Sequence, residues 1–314
     1  MSGEATAGKD AVPATRAGRL PAALTLPRAL CGNAARNLAL WSRALAPGAR
    51  RAPTPPSARK ALAGAALAIA ATLAAMWFVD RQAADWARHL PRGVGSAFAT
   101  ITKAGLSGWY LYPLGIAALC LAMAVPPSLP RLPRGVLAAV ASRCLFLFWA
   151  IAAPGLFSTV VKRVIGRARP LLDVNDNPFT YMPFSWRPDY ASLPSGHATT
   201  AASVAVAFGA LWPRARPVLW LYALVIMASR VVVMAHHPSD VVAGAAVGIA
   251  GAALVRRFFA ARGLVFRARD LKPYPAPSLR RIGRALATLR GSGLASCRSE
   301  NSRKRAIEAD HEAL

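Results

Sequence analysis

Residues 137–170 read LAAVASRCLFLFWAIAAPGLFSTVVKRVIGRARP, and the change of character at Lys162 decides the fold class. The 25 residues before it carry one charge, Arg143, whereas the nine from Lys162 hold Lys162, Arg163, Arg167, Arg169 and a terminating Pro170. A helix needs about 20 largely apolar residues to cross the roughly 30 Å hydrocarbon core of a bilayer, so the first part is long enough to span and the second marks an exit. Backbone polar groups in lipid must be satisfied within the segment or by a closed barrel, and no alternating ten-residue pattern supports a barrel. Working outward, further apolar runs lie at 61–79, 109–125, 198–212, 216–234 and 241–255. The expected fold is an all-α bundle of six transmembrane helices. The fourth and sixth runs, 15 residues each, need flanking residues to complete a crossing. Composition agrees: of 314 residues 55% are hydrophobic and 17% charged, against about 25% charged in soluble domains.

The charge is concentrated at the two ends. Lys and Arg number 39 against 13 Asp and Glu; residues 1–60 hold 10 against 2, and residues 255–314 hold 14 against 5. Three segments follow: a basic, largely disordered tail over 1–60, a membrane domain over 61–255 and a second basic tail over 256–314. Within the first tail, Leu30–Leu45 can instead form a basic amphipathic helix on the membrane surface. Basic tails flanking apolar spans mark the cytoplasmic side and contact anionic headgroups; no nucleic-acid partner is expected. The first apolar run is long and lies deep in the chain, which favours a retained helix over a cleaved signal. Cys31, Cys120, Cys144 and Cys297 are far apart, suggesting neither a disulfide framework nor a zinc site.

Six spans put both termini on one side, and the Lys/Arg excess makes that side the cytoplasm. Connections 126–136 and 213–215 fall on the same side. The opposite face receives 80–108, 162–197 and a turn around 235–240, and each of the last two carries chemistry. The cluster Lys162 to Pro170 reads alone as a membrane-surface charge patch, although cations are sparse on that face without an anionic ligand. If the helix continues through it, Lys162 and Arg169 lie two turns apart on one face and can converge on a phosphate. Pro194-Ser195-Gly196-His197 precedes the fourth span. Ser195 there can cap the helix, and helix-start amides beside a glycine can cradle an anion. Aromatic residues Phe179, Tyr181, Phe184, Trp186 and Tyr190 lead into it as an interfacial belt or a wall over an acyl chain. The third element is Ser229-Arg230 followed by His236, His237, Pro238 and Asp240. Arg230 must face the bundle interior, since a lipid-facing arginine costs on the order of 2.5 to 3.5 kcal/mol. Pro238 suits the first turn of the sixth helix, leaving His236 just outside and Asp240 within reach to fix its tautomer.

Taken together, Lys-x6-Arg-Pro, Pro-Ser-Gly-His and Ser-Arg-x5-His-x3-Asp resemble the signature of the type 2 phosphatidic acid phosphatase superfamily, which also contains soluble vanadium haloperoxidases. All three motifs match without substitution, and the resemblance covers roughly 61–255. It implies that His236 is the nucleophile and forms a phosphohistidine, that Asp240 orients and stabilises that imidazole, and that His197 is the general acid and later the base. It further implies that Lys162, Arg169, Ser195, the Gly196 amide and Arg230 hold the phosphoryl oxygens. Phosphoryl transfer needs charge stabilisation and alignment, which these cations and a helix N-terminus can supply without a metal or other cofactor. Arg163 and Arg167 lie outside the signature and read as surface or headgroup contacts, His237 as a cap neighbour.

The expected function is therefore an integral-membrane lipid phosphate phosphatase, of the bacterial inner membrane, with its site facing the periplasm. Similar bacterial members act on undecaprenyl diphosphate, phosphatidylglycerol phosphate or the phosphates of lipid A. The stretch Ile101 to Pro113 resembles the region before the second span in such members but does not choose among substrates. Six spans argue against a soluble haloperoxidase. A six-span anion or phospholipid carrier is the alternative, and it leaves His236 and Asp240 without a task.

Overall fold

The computed structural model describes residues 22–46, 58–172 and 177–291, and among them the only β-structure is two isolated bridges, Arg167 with Tyr181 and Phe266 with Pro273. The chain is all-α. Its helices are α1 (Ala22–Leu45), α2 (Ala58–Phe78), α3 (Asp80–Arg88), α4 (Arg92–Ile101), α5 (Gly108–Ala124), α6 (Arg131–Ile165), α7 (Gly196–Leu211), α8 (Arg216–Val232) and α9 (Pro238–Ala261), and residues 279–291 are also helical. Five stretches are long and apolar enough to cross a membrane: Ala58–Phe78, Arg92–Ala124, Arg131–Ile165, Pro213–Val232 and Pro238–Ala261. The second begins earlier than the run at 109–125 suggests, because α4 continues into α5 through a 3-10 turn, Thr102–Gly105.

The fourth expected span, α7, has 16 residues and rises only about 24 Å. It is the centre of the bundle, packed on α6, α8 and α9, and eleven of its residues are buried. Its composition explains this, since Ala, Ser, Thr and Gly let neighbouring backbones close in. The approach is tightest at Gly244 and Gly248 of α9, where an added Cβ would lie 2.4 Å from the carbonyl oxygens of Ser195 and Thr199.

Parts of the two terminal segments are helical among the described residues. Residues 1–21, 47–57 and 292–314 lie outside the described residues, but 22–45 form one helix, longer than the Leu30–Leu45 reading. It docks on the bundle: the Asn37 amide donates to the carbonyls of Ala122 and Val125, and Asn33 to that of Met123, occupying acceptors that the end of α5 leaves open. Arg262 donates to the carbonyls of Leu45 and Ala46. Beyond α9, Phe266 is fully buried against Phe146 and Phe259, and Ala285 packs with Val125, Leu129 and Leu137. These contacts gather both terminal segments at the end of the bundle opposite the three motifs.

Candidate active site

The first motif is not one continuous helix. Helix α6 stops at Ile165, and Gly166 turns the chain with φ 64°. A Cβ there would sit 1.7 Å from the Met182 carbonyl oxygen, so both the left-handed backbone and the contact require glycine. The next residues run extended, held by bonds from the Ala168 amide to the Thr180 carbonyl, Arg169 to Asp189, and Ser192 to Arg167. Lys162 therefore reaches the site from the last turn of α6 and Arg169 from an extended segment, rather than as two turns of one face.

Helix α7 begins as expected, with Ser195 as N-cap, but the Ser195 hydroxyl makes no cap bond. Its amide donates to the Asp240 carbonyl at 2.9 Å, which ties the second motif to the third. The Lys162 ammonium nitrogen would lie 3.2 Å from a Cβ on Gly196. His197 packs against Gly105 of the Thr102–Gly105 turn. Arg230 is almost wholly buried and faces inward, donating to the Thr102 hydroxyl at 2.6 Å.

His236 precedes α9, with His237 as N-cap and Pro238 in the first turn. The carboxylate of Asp240 accepts from the His237 amide at 2.8 Å and the Ser192 hydroxyl at 2.5 Å. The His236 Nδ1 is 3.8 Å from that carboxylate, beyond a direct hydrogen bond, and 3.4 Å from the Ser192 oxygen. Ser192 thus bridges the pair, and Nε2 is the nitrogen turned away from the carboxylate. Burial pushes the imidazole down to about 4; Asp240 opposes this, while Arg230 and Arg169 add to it. The ring is neutral, as a nucleophile must be.

Arg167 corrects the surface reading: it is fully buried. Its Nη1 donates to Asp240 at 2.6 Å and to the Ser239 hydroxyl at 2.6 Å, its Nη2 to Asp80 at 2.7 Å, and its Nε to the Pro178 carbonyl at 2.9 Å. Burial alone would lower its pKa, but Asp240 and Asp80 hold it above the ordinary arginine value. Arg163, by contrast, does lie at the surface, where it donates to the carbonyls of Trp186 and Arg187 and packs on the Trp186 ring. Asp80, Ser192 and Ser239 were absent from the motif reading. Nothing local marks Asp80, which stands 87 residues before its partner Arg167 and 159 before its partner Ser239.

Around His236 the structure collects buried donors without partners among the described residues: Arg169 Nε, Ser195 Oγ and Arg230 Nε. They come from three separate segments, and together with Lys162 they suit a tetrahedral oxyanion. No group of three or more metal-ligating side chains occurs among the described residues. The two nearest carboxylates, Asp80 and Asp240, are both engaged by Arg167. Exposed aromatic residues lie on this end of the bundle, including Trp77 against Phe179, with Phe184 and Trp186.

Residues 143–264, which contain all three motifs, match the PAP2 superfamily. The chain is similar to a lipid A 1-phosphatase of Rhizobium johnstonii, 39% identical over 139 residues, covering 44% of this chain and 56% of the relative. It is likewise 39% identical over 122 residues to a lipid A 1-phosphatase of Rhizobium etli, covering 39% and 53%. A decaprenylphosphoryl-5-phosphoribose phosphatase of Mycobacterium tuberculosis is 32% identical over 112 residues, 34% of this chain and 59% of that protein. The chain spans a little over half the length of these curated relatives, and no solved structure matches it.

Proposed function

We propose that this chain, whose residues 143–264 match the PAP2 superfamily, is an integral-membrane phosphatase that removes phosphate from a lipid phosphate or diphosphate through a phosphohistidine. The observation that carries this reading is the convergence of unpartnered donors Arg169 Nε, Ser195 Oγ and Arg230 Nε on the neutral His236. In the first step His236 Nε2 bonds to phosphorus as the bond to the lipid oxygen breaks, and His197 gives that oxygen its proton. In the second, water attacks phosphorus, His197 takes its proton, the P–N bond breaks and phosphate leaves. Lys162, Arg169, Ser195, the Gly196 amide and Arg230 hold the phosphoryl oxygens throughout. Asp240 steadies the imidazolium.

The two Rhizobium relatives favour the 1-phosphate of lipid A as substrate, with undecaprenyl diphosphate and phosphatidylglycerol phosphate as the other candidates. Purified protein should release inorganic phosphate from vesicles containing one of these lipids, and release should persist in EDTA because cations of the chain supply the charge. Vanadate should inhibit by adopting five-coordinate geometry. Complete inactivation by EDTA, rescued by a divalent metal, would replace this mechanism with a metal-dependent one.

The site faces the periplasm on this reading, with both termini in the cytoplasm. Exposed Arg36 and Arg43 on α1, and Arg280, Arg281, Arg284 and Arg290 near the C-terminal end, lie at the opposite end of the bundle, where anionic headgroups and the positive-inside rule place them. In a variant lacking the native cysteines, a membrane-impermeant thiol reagent added to spheroplasts should label a cysteine replacing Asn177 and spare one replacing Ser2. The reverse pattern would invert the topology.

A further inference from the structure

The hydrogen bonds of Arg167 leave it no part in binding phosphate. Its Nε, Nη1 and Nη2 already serve Pro178, Ser239, Asp240 and Asp80, inside a cluster in which Arg167, Asp80 and Asp240 are all fully buried. We propose that Arg167 and Asp80 are positioning residues for phosphoryl transfer: Arg167 fixes the Asp240 carboxylate beside His236, and Asp80 draws off part of the Arg167 charge so that Asp240 keeps its own. This inference rests on His236 being the nucleophile and Asp240 its partner.

The two oxygens of Asp240 divide the work. Oδ1 takes Arg167, and Oδ2 takes Ser192 and the His237 amide on the side facing His236. Arg167 gives Asp240 one bond, from Nη1, and sends Nη2 to Asp80, so one planar guanidinium fixes the two carboxylates relative to each other, as a compact ammonium cannot. Asp80 stands at the start of α3 and is itself anchored, accepting from the Ser239 amide at 2.9 Å and the Ser239 hydroxyl at 2.5 Å. Arg167, bound to Asp80 and Asp240 together, ties the start of α3 to the first turn of α9.

The charges explain why a second carboxylate is present. Arg167 with Asp240 alone is neutral and offers little to a positive ring. With Asp80 the cluster carries one net negative charge, which matches the positive charge that the imidazole gains when Nε2 bonds phosphorus. A bare buried carboxylate would be costly, whereas this one is held by a cation and still retains charge. Outer partners of this kind tune the basicity of the group they support.

The acid limb of kcat/KM reads the effect. The charged or titratable groups around His236 are Asp240 and His237 at the start of α9, Arg230 on α8, Arg169 on the segment after α6, Lys162 at the end of α6, His197 on α7 and Asp80 at the start of α3. Removing Arg167 withdraws a cation from behind Asp240, so the ring binds its proton more tightly and the limb moves to higher pH. Removing the Asp80 charge has the opposite sign.

The experiment compares Arg167→Met, Asp80→Asn and the double variant with the parent and with His236→Ala, each purified in detergent and assayed from pH 2.5 to 9. Arg167→Met should lower kcat by about ten- to hundredfold, leave KM within a few-fold, and move the acid limb up by about one pH unit. Asp80→Asn should lower kcat and move the limb down. If Arg167→Met does not fold, the double variant, which keeps the net charge of the cluster, still leaves Asp240 without its cation and should show an upward shift smaller than that of Arg167→Met, because the charge bonded to Asp240 outweighs the more distant one. Limbs that stay in place, or that move the same way in the two single variants, overturn the positioning role while an inactive His236→Ala leaves the nucleophile intact. Turnover in His236→Ala would instead overturn the mechanism on which the inference rests.

Discussion

Replacing His236 with alanine is expected to lower phosphate release by on the order of 10⁴- to 10⁶-fold, the range seen when a covalent nucleophile or its essential partner is removed. The geometry makes this the largest single effect. His236 is the neutral imidazole at the meeting point of Arg169, Ser195 and Arg230, and Asp240 and Ser192 fix its Nδ1 side. His237, the adjacent imidazole, is the N-cap of α9, where its backbone amide donates to Asp240 while its buried Nδ1 makes no hydrogen bond among the described residues. Quenched protein should carry an alkali-stable phosphoryl label that the variant lacks. Turnover in the variant within several-fold of the parent would remove His236 as nucleophile. The depressed pKa adds a pH signature. With a folded value of about 4 against an unfolded value of about 6.5, His236 favours the folded state fully above the unfolded value. That contribution is lost as pH falls from the unfolded value towards the folded one.

Gly244→Val is the second change with a large expected effect, and it touches no reacting atom. The new side chain would enter the space between α9 and α7, where its Cβ alone would lie 2.4 Å from the Ser195 carbonyl oxygen and 3.1 Å from the Ala198 Cβ. The contact is with backbone, so the helices must separate. Separation breaks the bond from the Ser195 amide to the Asp240 carbonyl and moves the His236 segment away from the proposed phosphate cradle. A displacement of about 1 Å at a reacting centre costs on the order of a hundredfold in rate, and overpacking costs about 1 to 3 kcal/mol of stability. Activity should fall by at least that rate factor and the thermal midpoint should drop. Gly64→Val on α2, where nothing lies within 4 Å, is the control and should change neither. An active Gly244→Val protein with an unchanged midpoint would refute the close α7–α9 approach.

The spans were legible because lipid demands long uninterrupted apolar runs, and the three motifs because the reacting side chains come in short local groups. Arg230 facing inward, Ser195 at a helix start and Pro238 in the first turn of α9 all followed from local rules. The helix end at Gly166 was also written locally, as a glycine one residue beyond the last apolar turn, but Pro170 drew the boundary too late. Arg167 was misread for a different reason. Its charge signals solvent unless its partners are known, and Asp80 and Asp240 reach it only through the packing of α3 and α9. Helix α1 was obscured by an Ala/Arg composition common in linkers, whereas its docking depends on Asn33 and Asn37 meeting the end of α5.

The exposed Trp77, Phe179, Phe184 and Trp186 lie at the same end of the bundle as His236, and tryptophan rings settle where hydrocarbon gives way to water. On the proposed function, a phosphorylated lipid arriving there keeps its chains in the leaflet throughout the reaction. Encounter is then a search in two dimensions, governed by lateral diffusion. The concentration that matters is the mole fraction of substrate among its neighbours, so that admixture of inert lipid, rather than added buffer, sets the degree of saturation.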